Sequence, residues 1–193
     1  MGRGTCRTRG RNSVIEAAAS SALGVPYGLC MPDDSADHIS GVVRLRDVAS
    51  EDLPALYQFQ LDPESNQMAV TNARDLDAFD ATWAEILSDR SIVAKAVLVD
   101  GMLVGSITCF KMDGLDAIGY WIAREHWGRG IATRALDLIL REVSTRPLHA
   151  RVAKTNVGSI RVLERCGFAI TGRRMAPADD RFPACEELLL TLV

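Results

Sequence analysis

The sequence contains no apolar run approaching the roughly 18 residues a membrane-spanning helix requires, so no segment is expected to cross a bilayer. Histidine is scarce. His38, His126 and His149 are the whole supply, and none stands in metal-ligand spacing or in a nucleophile motif with a cysteine. The five cysteines, Cys6, Cys30, Cys109, Cys166 and Cys185, are odd in number and form no C-x-x-C pair. That count argues against a disulfide framework and a thiolate metal site; the thiols are expected to be reduced, in a cytoplasmic protein without a metal. Excess positive charge is also missing: 22 Lys and Arg against 25 Asp and Glu leave a formal net charge of -3. No global basic field is present to hold nucleic acid, and neither a nucleic acid nor a membrane is expected as a partner. Apolar residues, by contrast, make up 48% of the 193 positions, which supplies one hydrophobic core and falls short of two.

Residues 1–38 show no sustained helical or strand period and end in the polar cluster Pro32-Asp33-Asp34-Ser35. They read as an extension ahead of a single domain over residues 39–193. Arg3, Arg7, Arg9 and Arg11 precede a small, fairly apolar stretch over residues 14–29, the order of a targeting peptide. Three readings stand: a secretory leader, an organellar transit peptide, or sequence upstream of a start at Met31.

From residue 42 onward the pattern becomes regular. Residues 42–46 read as a strand, and Ser50-Glu51-Asp52 supplies an N-cap and an acidic first turn for a helix carrying Leu53, Leu56, Tyr57 and Phe59. Residues 62–68 read as a solvated loop, and Phe79, Trp83, Ile86 and Leu87 predict a second helix over 76–87. Two strands, 92–99 and 103–110, flank Asp100-Gly101, a strong hairpin signal, and a third covers 116–123. Ala132, Ala135, Leu136, Ile139, Leu140 and Val143 then mark an amphipathic helix, residues 148–152 a strand, and 159–166 a helix closed by Gly167. Strands at 168–171 and 186–192 end the chain. This order predicts an α/β fold: a mixed, mostly antiparallel central sheet flanked by helices, in one domain.

Trp127-Gly128-Arg129-Gly130-Ile131-Ala132 sits between a predicted strand and a predicted helix. Gly128 and Gly130 allow a tight turn and a close backbone approach, and the helix start points N–H groups outward as anion donors. A diphosphate suits that position, with Arg129 or Arg134 as a charge partner. A simple strand-to-helix turn would look the same. Neither G-x-G-x-x-G nor Gly-Lys-Ser/Thr is present, which weakens a dinucleotide or NTPase reading.

Over residues 118–172 the sequence resembles the GNAT superfamily, and within it the ribosomal-protein-alanine acetyltransferases. The resemblance rests on Gly119-Tyr120-Trp121-Ile122, Trp127-Gly128-Arg129-Gly130-Ile131-Ala132-Thr133, Asn156, Ser159, Leu163-Glu164 and Gly167-Phe168. It implies a GNAT-like fold and acetyl-CoA as co-substrate. It implies further that the Gly128, Arg129, Gly130, Ala132 and Thr133 amides hold the pyrophosphate within the loop that also includes Trp127 and Ile131. The strand Tyr120, Trp121, Ile122, Ala123 would pair with the pantetheine arm, and an amide near Ile122 would polarise the thioester carbonyl. Asn156 would bind the pantetheine or thioester end, with Ser159 near the sulfur; capping of a helix start is the structural alternative for both.

Acetyl transfer to an amine needs a neutral nitrogen, a stabilised oxyanion and a proton for the departing thiolate. Leu163 occupies the position, seven residues after Asn156, where the family commonly carries a tyrosine. Ser159, or a water it holds, is the expected substitute, and Glu125 and Glu164 are the candidate bases by location. An α-amine is roughly a tenth to a fifth neutral at pH 7, a lysine side chain less than about a thousandth. The expected acceptor is accordingly a protein N-terminus, an amino acid or a small amine, with Asp62 and Glu64 as contacts for a cationic one. The chain is expected to act as a monomer or homodimer. The alternative function is a catalytically silent acyl-CoA-binding sensor or regulatory module.

Overall fold

The computed structural model describes residues 41–193. The readings of residues 1–38, with Cys6, Cys30 and His38, lie outside that range. Within it the elements follow the order β1 (Val43–Asp47), α1 (Leu53–Gln60), α2 (Pro63–Ala69), α3 (Leu76–Ser88), β2 (Val93–Val99), β3 (Met102–Met112), β4 (Leu115–Ile122), α4 (Ile131–Glu142), β5 (Leu148–Ala153), α5 (Val157–Arg165), β6 (Ala169–Ala176) and β7 (Cys185–Leu192). The strands form one sheet in the order β1-β2-β3-β4-β5-β7-β6. Every neighbouring pair is antiparallel except β4 and β5. The mixed, mostly antiparallel sheet expected from the sequence is therefore the observed one.

Two hairpins build the first half. Asp100 and Gly101 join β2 to β3 with φ of 50° and 86°, and Asp113 and Gly114 join β3 to β4 with φ of 52° and 83°. Both central residues of each turn are left-handed, the geometry that matches the twist of the strands they connect. The second Asp-Gly is a hairpin signal as plain as the first, and it fixes the β3–β4 register of Gly105 opposite Ile122 and Met112 opposite Leu115.

The sheet carries a hydrophobic core on each face. Ile118, Tyr120 and Ile122 join Ile131, Leu136, Ile139 and Leu163 on the face covered by α4 and α5. On the opposite face Phe79, Trp83 and Ile86 of α3 pack with Leu56 of α1 and Ala96 of β2. Truncating either of the fully enclosed residues Leu136 and Ile139 to alanine would cost about 2–5 kcal/mol.

Two local expectations are corrected. Residues 62–68 are mostly helix: Asp62 accepts from the Ser65 N–H at 2.8 Å and Pro63 occupies the first helical position, both strong start signals in a segment too short to show a period. The first helix starts with a 3-10 turn at Ser50–Asp52, and its N-cap is Ala49 rather than Ser50. Asp52 is buried, and Arg46 donates to it at 2.6 and 2.7 Å while the Ala49 N–H donates at 2.9 Å. The Arg46 guanidinium holds the Asp52 carboxyl below its ordinary pKa against the opposing effect of burial.

Candidate active site

The parallel strands β4 and β5 meet at one pair, Ala117 opposite His149. No further pair joins the two strands toward their C-terminal ends, where β4 leads into the turn before α4 and β5 into α5. Crevices at the carboxyl ends of parallel strands are the usual ligand sites of α/β sheets. One edge of β4 is exposed to this crevice. The Ala123 N–H donates to the Val104 carbonyl at 2.8 Å, so the alternation of an antiparallel ladder turns the Tyr120 and Ile122 N–H groups the other way, toward β5.

The turn after β4 is shaped by glycines. Gly128 and Gly130 both adopt φ of 70°, and Gly130 is the N-cap of α4. The first bond of that helix runs from the Arg134 N–H to the Gly130 carbonyl at 3.0 Å, which leaves the amides of Ile131, Ala132 and Thr133 without an intrahelical acceptor. No acidic side chain occupies the first turn. The helix end is thus suited to an anion. Arg129 is exposed beside it, whereas Arg134 is engaged with Asp137 at 2.8 Å. Trp127 points back to β4, its indole N–H donating to the Ile122 carbonyl at 2.7 Å. That bond ties the loop to the strand and occupies one acceptor on the crevice edge, leaving the Ile122 N–H as the group aimed into it.

Across the crevice, Asn156 caps α5 by accepting from the Ser159 N–H at 3.1 Å. The capping role set beside a ligand-binding one for Asn156 is therefore realised, while Ser159 is the capped residue and not the cap. The Ser159 side chain is fully enclosed, and its Oγ has no hydrogen-bond partner among the described residues. Buried hydroxyls are ordinarily bonded, so this one stands out. Tyr120, equally enclosed, reaches over from β4 and donates to the Ser159 carbonyl at 3.5 Å, a long bond. Burial pushes the Tyr120 phenol pKa well up, which keeps its proton on. Nothing in the residue pattern marked the Tyr120 hydroxyl: its position beside Ser159 arises from the packing of α5 against β4.

The remaining named residues divide cleanly. Leu163 is enclosed in the core at 1% exposure. Glu125 and Glu164 are exposed. Asp62 and Glu64 face Arg124, whose Nε lies 2.9 Å from Asp62 and whose guanidinium reaches Glu64 at 3.4 Å, so both carboxylates already serve a cation of the chain itself. Burial raises the Cys109 thiol to about 12 and the Cys166 thiol to about 11, which makes both poor nucleophiles.

Comparison with known proteins bears on the family and the fold. The family profile described as an acetyltransferase (GNAT) domain matches residues 43–169. In Bacillus subtilis, YdaF, named provisionally as a ribosomal N-acetyltransferase, is 32% identical over 98 residues, covering 47% of this chain and 54% of that protein. YjcK of the same organism, named provisionally as an N-acetyltransferase, is 35% identical over 77 residues, covering 36% and 42%. The matched part of the chain spans about half the length of these relatives. Among solved structures, Mycobacterium smegmatis RimJ in complex with CoA-disulfide superposes with a TM-score of 0.65 at 24% identity, over 80% of this chain and 83% of that one. At this identity the likeness establishes a shared fold.

Proposed function

The chain belongs to the GNAT acetyltransferase family, and from that premise we propose that it transfers the acetyl group of acetyl-CoA directly to a primary amine. The observation that carries the reading is the end of pairing between β4 and β5 beyond Ala117 and His149, with the α4 N-terminus following β4. Acetyl-CoA supplies a thioester whose C–S bond breaks as the amine nitrogen forms a C–N bond, with one proton passing from nitrogen to the released thiol.

Each residue has a place in that scheme. The amides of Gly128, Arg129, Gly130, Ala132 and Thr133 hold the pyrophosphate, and Ile131 anchors the helix start in the core. Within the stretch Tyr120, Trp121, Ile122 and Ala123, the Tyr120 and Ile122 N–H groups offer the β4 edge to the pantetheine arm. The Ile122 N–H, aimed away from β3, donates to the thioester oxygen as negative charge develops there. Asn156 fixes the start of α5 and with it Ser159, whose hydroxyl delivers a proton to the sulfur. Tyr120, protonated and adjacent, assists it. Support for an α-amine as acceptor comes from its higher neutral fraction, and the provisionally named ribosomal N-acetyltransferase YdaF points to a ribosomal acceptor.

The test is thiol release from acetyl-CoA, measured with the purified chain across N-terminal peptides, amino acids, polyamines and lysine side-chain analogues. Release that depends on a primary amine supports the reading. Leu163 buried where a tyrosine is common favours a second one, an acyl-CoA-binding sensor. Tight acetyl-CoA binding with no release from any amine would select it.

A further inference from the structure

On the sheet face opposite α4, the C-terminal end of β4 meets the corner between α1 and α2. Trp121 borders a small cavity with Leu56, Phe79 and Trp83, and donates its indole N–H to the Phe59 carbonyl in the last turn of α1 at 3.1 Å. Helix α2 begins at Pro63, just after α1 ends at Gln60, and packs against β5. The corner thus reaches from β4 across to β5, on the side of the sheet away from the α4 N-terminus.

One cation of the chain sits in this corner. Arg124 opens the 3-10 turn that follows β4, two residues beyond Ile122. That turn is fixed, since the Trp127 N–H donates to the Arg124 carbonyl at 3.0 Å and the Trp127 indole to the Ile122 carbonyl at 2.7 Å. The Arg124 guanidinium bridges the start of α2: its Nε donates to Asp62 at 2.9 Å, and a terminal nitrogen lies 3.4 Å from Glu64. Asp62 is held independently as the α2 N-cap, accepting from the Ser65 N–H at 2.8 Å. Its carboxylate therefore stays in place without the arginine.

The pair is open to competition. The Arg124 side chain is 50% exposed and that of Glu64 56%, so an external cation has access to the same carboxylates. Ion pairs this exposed add little to stability. Their effect falls instead on charges that pass the corner: two carboxylates and one guanidinium leave one net negative charge there, and loss of the guanidinium would leave two.

We propose that Arg124 is a specificity-determining residue, an internal cation that occupies the acidic rim and turns away amines carrying a second positive charge. The proposal rests on the acetyltransferase reading for the passage of an amine through this corner. A polyamine or a lysine-bearing peptide must displace the guanidinium from Asp62 and Glu64 or lie beside it, and like charges a few ångströms apart repel. The tethered guanidinium also competes with the advantage of an intramolecular partner. An amine with an uncharged side chain meets neither obstacle.

The experiment uses the whole chain and matched probes. Thiol release is measured with Lys-Ala-amide and norleucine-Ala-amide, which differ in charge at similar length, and with spermidine and glycinamide; binding of the same probes in the presence of CoA is followed by calorimetry. The parent should favour norleucine-Ala-amide and glycinamide. Arg124→Gln should raise the ratio of kcat/KM for charged over uncharged probes about tenfold at low ionic strength, a gain that fades in about 0.5 M salt. Arg124→Lys should keep the parent ratio, because it keeps the charge. Adding Asp62→Asn and Glu64→Gln to Arg124→Gln should remove the gain, with asparagine preserving the α2 cap. Acetyl-CoA-induced thermal stabilisation checks that each variant folds. A ratio unaltered by Arg124→Gln, a gain that survives loss of both carboxylates, or a parent that prefers spermidine would overturn the proposal. Tighter spermidine binding to Arg124→Gln than to the parent, without thiol release from any amine, would uphold the role of Arg124 and overturn the acetyltransferase reading instead.

Discussion

Gly105 of β3 lies close against the β4 backbone at Trp121 and Ile122, and Gly105→Ala should disturb the crevice without replacing any residue assigned to it. A Cβ at Gly105 would lie 2.1 Å from the Trp121 carbonyl oxygen and 3.0 Å from both the Ile122 Cα and its Cδ1. The first two are backbone atoms of the neighbouring strand, so no rotamer change relieves the contact. Either β3 or β4 must shift by about an ångström to bring that contact to a tolerable distance. Overpacking of this kind costs about 1–3 kcal/mol, equivalent to a fall in melting temperature of roughly 2–12 °C for a domain of this size. Because the displaced stretch is Trp121 and Ile122, the variant should also raise the KM for acetyl-CoA several-fold. Gly114→Ala is the control: Gly114 has φ of 83° and nothing within 4 Å of the added methyl, so it should cost only left-handed backbone strain, about 1–2 kcal/mol, with KM unaltered. Calorimetric melting and initial rates of thiol release decide the matter. A Gly105→Ala protein with the melting temperature and KM of the parent would refute the close strand approach and its link to the cofactor edge.

Ser159→Ala should lower kcat about ten- to a hundredfold with little change in acetyl-CoA affinity, and should not lower the melting temperature, since the removed hydroxyl has no hydrogen-bond partner among the described residues; unchanged turnover would take Ser159 out of the proton path. Leu163→Tyr should destabilise by about 1–3 kcal/mol, because Leu163 is enclosed and the phenol has no room, and a melt at the parent temperature would contradict that packing. Asp52→Asn should cost about 1–3 kcal/mol by breaking the paired bonds from Arg46. Since the folded Asp52 pKa lies below its ordinary value, the stability it contributes is present above the unfolded pKa near 4 and is lost as pH falls through the lowered one. Acid titration of the two proteins should show that loss in the parent and not in the variant.

Where the sequence carried a local mechanism, it was readable. Asp100-Gly101 demanded left-handed turn residues, Gly167 demanded a left-handed helix end and adopts φ of 90°, and the apolar period of α4 continued long enough to define both its extent and its buried face. Short or non-local features were hidden. Helix α2 spans only 7 residues, too few for a period, although Asp62-Pro63 was a start signal available to a closer reading. The Arg46–Asp52 pair depends on β1 folding back against the turn before α1. Spacing could place Ser159 on a helix; it could not show that Tyr120 would lie over it or that Asp62 and Glu64 would be bound to Arg124.

The most direct test of the central claim is calorimetric titration of CoA into the parent and Gly130→Glu. A glutamate side chain at the α4 N-cap puts bulk and negative charge where the pyrophosphate meets the helix amides, so the parent should bind and the folded variant should show affinity at least about a hundredfold weaker. Equal dissociation constants in two folded proteins would contradict the assignment of the β4–α4 turn as the cofactor site.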